Sequence, residues 1–449
     1  MKFKHLLLAS LGVCAFASCS DNNAPKEIEY KDFDAQLSIS AVPMNEVTKA
    51  SEVTPGEDET GTVNEQYVHT LTAYVFNSVD DSYAGMGTAT AKDGNSVDRV
   101  EDILIKVKAE KAGDISESIF KVVLLANVKP EKTPSKLSDL AYFSGIENYS
   151  FDGVKNGEQY LPMASTVITI GKLVAGTDYD NWVENSGIKY TTKDNKLLQS
   201  NGSSIGTEEG KEYVVLKNDR IPLIRYVARI QLESLESQFI KGNEEAVFKL
   251  EKVYLANVSN ASRYTGDNFE YIIPGKAEGS YDESNAFMRG EFDFTPVDHY
   301  LASSSKLSTL TKDYSQNPIV ISNVGGTITF KDATMDKQDL ENLPEMAQFY
   351  AFEFDGYEIS EGNTVNTSLI IEGTWSNAGF SAKRYFRIPI KHDTDVVGIK
   401  RNYIYKLNAT LTGEGTDNPD KSMLNALLNF AISVENWKII KQIEDDVNS

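Results

Sequence analysis

The sequence is short of cysteine, histidine and positive charge, and each shortage closes off a class of function. Cys14 and Cys19 are the only two cysteines in 449 residues. Both sit near the N-terminus, so the body of the chain holds neither an internal disulfide nor a thiol nucleophile, and its stability rests on a packed core. The four histidines, His5, His69, His299 and His392, never take zinc-ligand spacing and read as surface or satisfied side chains. Lys and Arg number 44 against 66 Asp and Glu, for a formal charge of -22. That balance argues against nucleic acid and anionic membrane surfaces, both of which need basic patches. The apolar stretch 6–17 is too short to span a bilayer.

Catalytic constellations are equally thin. Gly206-Thr207-Glu208-Glu209-Gly210-Lys211 is one residue short of a phosphate loop and continues into Glu212 instead of Ser or Thr. Asp178-Tyr179-Asp180-Asn181 and Asp417-Asn418-Pro419-Asp420 lack the spacing and closing Glu of a calcium loop and read as turns. Among 66 acidic residues a carboxylate pair for glycoside hydrolysis can always be nominated, so the nomination carries no information. No catalytic residue, metal site or cofactor is expected, and the chain does not read as an enzyme.

What the sequence does contain starts with a leader. Lys2 and Lys4, the apolar stretch, and Phe16-Ala17-Ser18-Cys19 read as a lipoprotein signal over residues 1–18, with Cys19 as the lipidated residue. An ordinary signal with an incidental cysteine is the other reading. Residues 19–49 form a propeptide: the polar run Ser20-Asp21-Asn22-Asn23 is a tether, and 33–41 alternates without a break. Phe33, Ala35, Leu37, Ile39 and Ala41 put one apolar face on a strand. Residues 50–66 are acidic and carry Pro55, Gly56 and Gly61, a linker that buries too little to fold. Lys49 is the only Lys or Arg between Lys31 and Lys92, so a trypsin-like protease has one place, Lys49-Ala50, to separate that strand from the next. A solvated linker charge is the bland reading of Lys49.

Downstream, short β-type runs recur with turn residues between them, at 71–76, 103–107, 120–126, 166–170, 213–216, 224–232, 248–258, 319–321, 328–330, 368–372, 385–390 and 404–411. This spacing predicts an all-β chain of β-sandwiches, with short helices only at 137–142 and 342–346. The length predicts two domains, placed at 50–236 and 237–449 around a loosely patterned stretch near Ser237. At the far end Phe430, Ile432 and Val434 alternate as in the propeptide strand, followed by Trp437, Ile439 and Ile440. This tail is either the last strand of its own domain or a strand donated to a neighbour; burial there is worth on the order of 10 kcal/mol gross.

Arg401-Asn402-Tyr403-Ile404-Tyr405-Lys406-Leu407-Asn408-Ala409-Thr410-Leu411-Thr412-Gly413-Glu414-Gly415 resembles the Arg-Asn-x-x-Tyr strand and Gly-x-Gly exit of Bacteroidia-type fimbrillins, the major subunits of donor-strand-assembled fimbriae. Leu71-Thr72-Ala73-Tyr74-Val75-Phe76, Leu161-Pro162-Met163-Ala164-Ser165, Arg225-Tyr226-Val227-Ala228-Arg229-Ile230, Phe349-Tyr350-Ala351-Phe352-Glu353 and Ser368-Leu369-Ile370-Ile371-Glu372 keep that family's order. The resemblance implies two transthyretin-like β-sandwich domains in tandem, a precursor held as a lipoprotein of the outer membrane, and a trypsin-like maturation protease. It also implies a cell-surface fimbria in which identical subunits join head-to-tail, together with accessory fimbrial subunits, by strand exchange. Maturation in that family is often at arginine, where this chain offers Lys49. A monomeric surface lipoprotein that stacks glycans on Trp182 or Trp375, or binds a host protein, is the competing reading from another class; an accessory tip or anchor subunit is the nearer one.

Overall fold

Strands that run through the middle of a layered structure are apolar on both faces, and strands with one wet face alternate. Both kinds occur here. Residues 71–77 are buried without interruption, whereas in 403–411 buried positions alternate with half-buried ones over most of the strand. The computed structural model describes residues 31–43, 65, 67–92, 96–97, 99–109, 119–140, 142–144, 160–171, 207–208, 211–212, 221–240, 242–265, 287–288, 310–331, 343–354, 356–360, 363–392, 398–420 and 428–436.

In chain order the strands are β1 (Lys31–Pro43), β2 (Thr70–Asn77), β3 (Tyr83–Thr90), β4 (Arg99–Ala109), β5 (Ile119–Ala126), β6 (Tyr142–Ser144), β7 (Met163–Ala164), β8 (Ile168–Gly171), β9 (Thr207–Glu208), β10 (Lys211–Glu212) and β11 (Ile221–Arg225). The second half continues with β12 (Val227–Ser237), β13 (Val247–Ala256), β14 (Ala261–Arg263), β15 (Thr311–Asp313), β16 (Ile319–Ile321), β17 (Ile328–Thr329), β18 (Ala347–Phe352), β19 (Tyr357–Ser360), β20 (Asn363–Val365), β21 (Ser368–Asn377), β22 (Phe380–Pro389), β23 (Tyr403–Leu411) and β24 (Leu428–Asn436). The chain is all-β, as its turn spacing predicts.

The first half folds as one eight-stranded sheet in the order β2-β3-β4-β1-β11-β7-β5-β8. Because β2 also pairs with β5 along 71–77, every strand except β8 belongs to a closed circuit. The second half contains two five-stranded sheets, β17-β12-β23-β24 with β18 on β12, and β15-β13-β21-β22 with β16 on β13. Phe239, just past β12, packs edge-to-face on Trp375 of β21 at 4.7 Å between ring centroids, and within the second of these sheets Phe248 of β13 packs edge-to-face on Phe386 of β22 at 5.4 Å. Gly373 brings β21 close to β13, since a Cβ there would lie 2.2 Å from the Lys249 carbonyl oxygen. The β21–β22 hairpin turns on Ala378 and Gly379, with φ of 47° and 83°, the positive pair that a two-residue turn requires.

Three expectations need correction. Residues 343–346 are not helical: the Lys331 amide donates to the Pro344 carbonyl, and Glu345 bridges Lys331, so this stretch is held as a strand lead-in. Only Leu137–Asp139 forms a turn of 3₁₀ helix, stopped before β6. Glu65, counted with the floppy linker, is fully buried. The chain leaves the first sheet at Arg225 and enters the next at Val227, upstream of Ser237.

Candidate assembly site

β1 is the strand that closes the circuit. It pairs antiparallel with β4 from Lys31↔Ala109 to Ser40↔Arg99, and then parallel with β11 through Ala41↔Ile221, Val42↔Pro222 and Pro43↔Leu223. Opposed residues in an antiparallel ladder share a face of the sheet. Phe33, Ala35, Leu37 and Ile39 stand opposite Val107, Ile105, Ile103 and Val100; of these partners Val100, Ile103 and Ile105 are buried, as is Ile221 opposite Ala41. A one-residue register shift between Leu37 and Ile39 keeps the alternation in phase by placing the extra residue on β4. Without β1 the circuit opens between β4 and β11 and leaves two unpaired strand edges over these apolar side chains.

The tail lies elsewhere. β24 runs antiparallel to β23 over nine residues, from Tyr403↔Asn436 to Leu411↔Leu428, as the outer strand of its own sheet. Ile432 and Val434 are half-buried against the core opposite Leu407 and Tyr405, and Phe430, opposite Ala409, remains exposed. Of the two placements read from the sequence, the tail here takes the one within its own domain. Trp437, Ile439 and Ile440 lie outside the described residues, as do Cys19, Lys49 and Ala50.

Between β1 and the tail stands a buried polar junction that the linker reading missed. The Arg229 Nη1 donates to both carboxylate oxygens of Glu65 at 3.0 and 3.2 Å, and the Tyr350 hydroxyl donates to Glu65 Oε1 at 2.6 Å. Arg225 bridges the two halves: its Nε donates to the Glu65 carbonyl at 3.1 Å and its Nη1 to Asn402 Oδ1 at 2.9 Å. Burial draws the Arg225 guanidinium down to about 10, with Glu65 opposing the shift, so it is charged at neutral pH. Burial, then Glu65, pushes the Tyr350 hydroxyl well above the usual tyrosine range.

A second cluster lies on the neighbouring face of the same junction. Arg401 forks onto the Glu353 carboxylate, which also accepts from Ser262 Oγ at 3.1 Å. The Arg401 guanidinium sits 5.5 Å from the Tyr226 ring, whose hydroxyl donates to the Tyr264 carbonyl at 2.9 Å. β14 and β6 add a short ladder between the halves. The arginines at 225, 229 and 401, Asn402 and Glu353 all come from the motifs quoted above; Arg225, Arg229 and Asn402 join the two halves, while Arg401 and Glu353 tie the second half together beside them. Two arginines four apart in an otherwise apolar run of sequence were the available signal, because each needs a buried acceptor.

The remaining candidates are spread over the described residues or lie outside them. Trp375 is core, while Trp182 and His299 lie outside the described residues. His392 packs against Tyr403 and shares a hydrogen bond with the Tyr405 hydroxyl at 2.9 Å. Asn418 Oδ1 accepts from the Asp420 amide, which makes 417–420 a side-chain-capped turn. Gly202-Ser203-Ser204-Ile205-Gly206 spells the nucleophile-elbow pattern and lies outside the described residues; the described residues form no α/β sheet of the kind that pattern serves.

A sheet closed by its own N-terminal strand, ahead of two further sheets with an outer C-terminal strand, defines an all-β sandwich protein whose first sheet is completed from upstream of a linker. Residues 35–225 match the family model described as major fimbrial subunit protein (FimA). Its fold is similar to that of a candidate cell adhesion protein of Parabacteroides distasonis (18% identity, TM-score 0.55, covering 91% of this chain and 98% of that one). It is also similar to a fimbrilin (FimA) of Porphyromonas gingivalis W83 (18% identity, TM-score 0.52, covering 91% and 99%). No curated protein matches the chain.

Proposed function

We propose that the protein is a structural stalk subunit of a cell-surface fimbria, exported as a lipoprotein on Cys19 and polymerised by strand exchange after cleavage between Lys49 and Ala50. The observation that carries the reading is the position of β1: the circuit closes only through a strand that lies upstream of the acidic linker. While attached, β1 is present at high effective concentration and excludes any competitor. Once cut it dissociates, and the groove between β4 and β11 accepts the tail of another subunit, whose main chain restores the ladders. A head-to-tail contact that does not close yields a filament. In this reading the two units, expected from sequence at 50–236 and 237–449 and changing sheets at Tyr226, act as two transthyretin-like domains, and the subunit is structural, with no chemistry of its own.

The place of β24 on its own sheet favours a second reading, an accessory subunit that ends a fibre and keeps its tail. The two are separated by running surface protein on an SDS gel with and without boiling and sequencing the N-terminus of the product. A stalk subunit gives a heat-sensitive ladder beginning at Ala50, and Lys49→Ala accumulates lipidated monomer. A single band under both conditions, or fibres beginning at Cys19, refutes the stalk assignment.

A further inference from the structure

The described residues leave nine large apolar side chains exposed, and they are not scattered evenly. β12 starts at the junction with Val227 and ends at Ser237; β13 returns from Val247, β21 ends at Asn377, and β22 starts at Phe380. The connections 238–246, 322–327 and 377–380 therefore meet at one pole, the end of the second half away from the first. Ile240, Val324 and Phe380 project there at 49%, 95% and 51% exposure, with Val320 beside them on β16.

These loops are tied to one another. Asn323 accepts from the Phe239 amide at 2.8 Å and donates to the Phe239 carbonyl at 2.9 Å, and Asn377 donates to Asn243 Oδ1 at 2.7 Å. The apolar tips are thus held in place before any partner arrives, which lowers the ordering cost of binding. β24 starts at this same pole, where Leu428 pairs with Leu411.

Chain polarity fixes which surface of a second copy reaches it. β1 runs from Lys31, opposite Ala109 at the outer end of the first sheet, toward the junction at Pro43. A tail tethered by its N-terminal side and lying with the polarity of β1 must enter the groove at that outer end. The turn between β2 and β3 is there too, with Val79 at 58% exposure.

We propose that the pole carrying Ile240, Val324 and Phe380 is an end-to-end docking face whose partner is the Val79 turn of the next copy of this chain. This rests on the strand-exchange reading and adds to it a contact outside the groove. It positions the mouth of the groove within reach of the tail, since the seven residues 421–427 span at most about 25 Å when extended.

The test uses the full chain cut after Lys49. Val324→Asp, at an almost fully exposed site, leaves the fold intact; it is expected to slow ladder growth about tenfold by placing a carboxylate in a contact that excludes water, and to leave capture of a synthetic 421–449 peptide unchanged. Because the mature body has no cysteine, Val79→Cys combined with Val324→Cys should give disulfide-linked multimers in assembled fibres. Growth of Val324→Asp at the wild-type rate, loss of peptide capture in that variant, or fibres of the double-cysteine protein without cross-links overturns the docking face. Failure of the unsubstituted cut subunit to capture the peptide instead overturns strand exchange itself.

Discussion

Replacing Glu65 by Gln probes the buried junction with almost no change in volume. The carboxylate receives Arg229 at 3.0 and 3.2 Å and Tyr350 at 2.6 Å, and both partners are buried. Removing one charge of a buried pair costs about 3–5 kcal/mol because the remaining charge keeps its desolvation penalty. The Gln amide oxygen still accepts one hydrogen bond, which places the loss near the lower end, about 3 kcal/mol. For a unit of this size each kcal/mol moves Tm by about 2–4 °C, so a fall of about 6–12 °C is expected. Urea titration should show a lower midpoint with an unchanged slope. Pairing Glu65→Gln with Arg229→Met should recover part of the loss, giving a coupling of about 2 kcal/mol. A Glu65→Gln protein within about 0.5 kcal/mol of the parent behaves as a surface substitution does and refutes the junction as a source of stability.

Gly373→Ala should cost about 2 kcal/mol in denaturant titration, because the added methyl meets the Lys249 carbonyl at 2.2 Å and the Phe248 ring at 2.6 Å and the backbone there has little room to yield. The Tyr350 hydroxyl, raised above its ordinary value of 10.0, contributes stability that is complete below pH 10 and is lost as pH rises through the folded-state value. Thermal melts between pH 9 and pH 11 should accordingly fall more steeply for the parent than for Tyr350→Phe. Deleting residues 424–449 should leave a folded, protease-resistant subunit that forms no ladder; global unfolding by circular dichroism would assign the tail to its own core.

Most strands were legible because burial writes a period into the chain. β1 alternates from Phe33 to Ala41, and β23 alternates across a sheet with one covered face. What stayed hidden depends on contacts distant in sequence. Glu65 sits among linker acids, and nothing local distinguishes it from Glu57 or Glu59; its partners Arg225, Arg229 and Tyr350, 160, 164 and 285 positions on, take it out of solvent. The boundary near Ser237 was drawn where patterning fades, yet the sheets change at Tyr226, where the pattern is strong because both strands are core. Likewise, alternation identifies 428–436 as a strand without naming its neighbour, since a period of two is blind to which edge it meets.

The closing strand also has a kinetic meaning. Ala41 meets Ile221 across 180 positions of sequence, so the last gap in the first sheet cannot fill until β11 has been made and placed. Contacts of such separation form late and slowly. During that interval the edge of β4 stays open to β1, whose covalent connection gives it a higher effective concentration than a strand from another chain; on the strand-exchange reading, cleavage opens the same edge again.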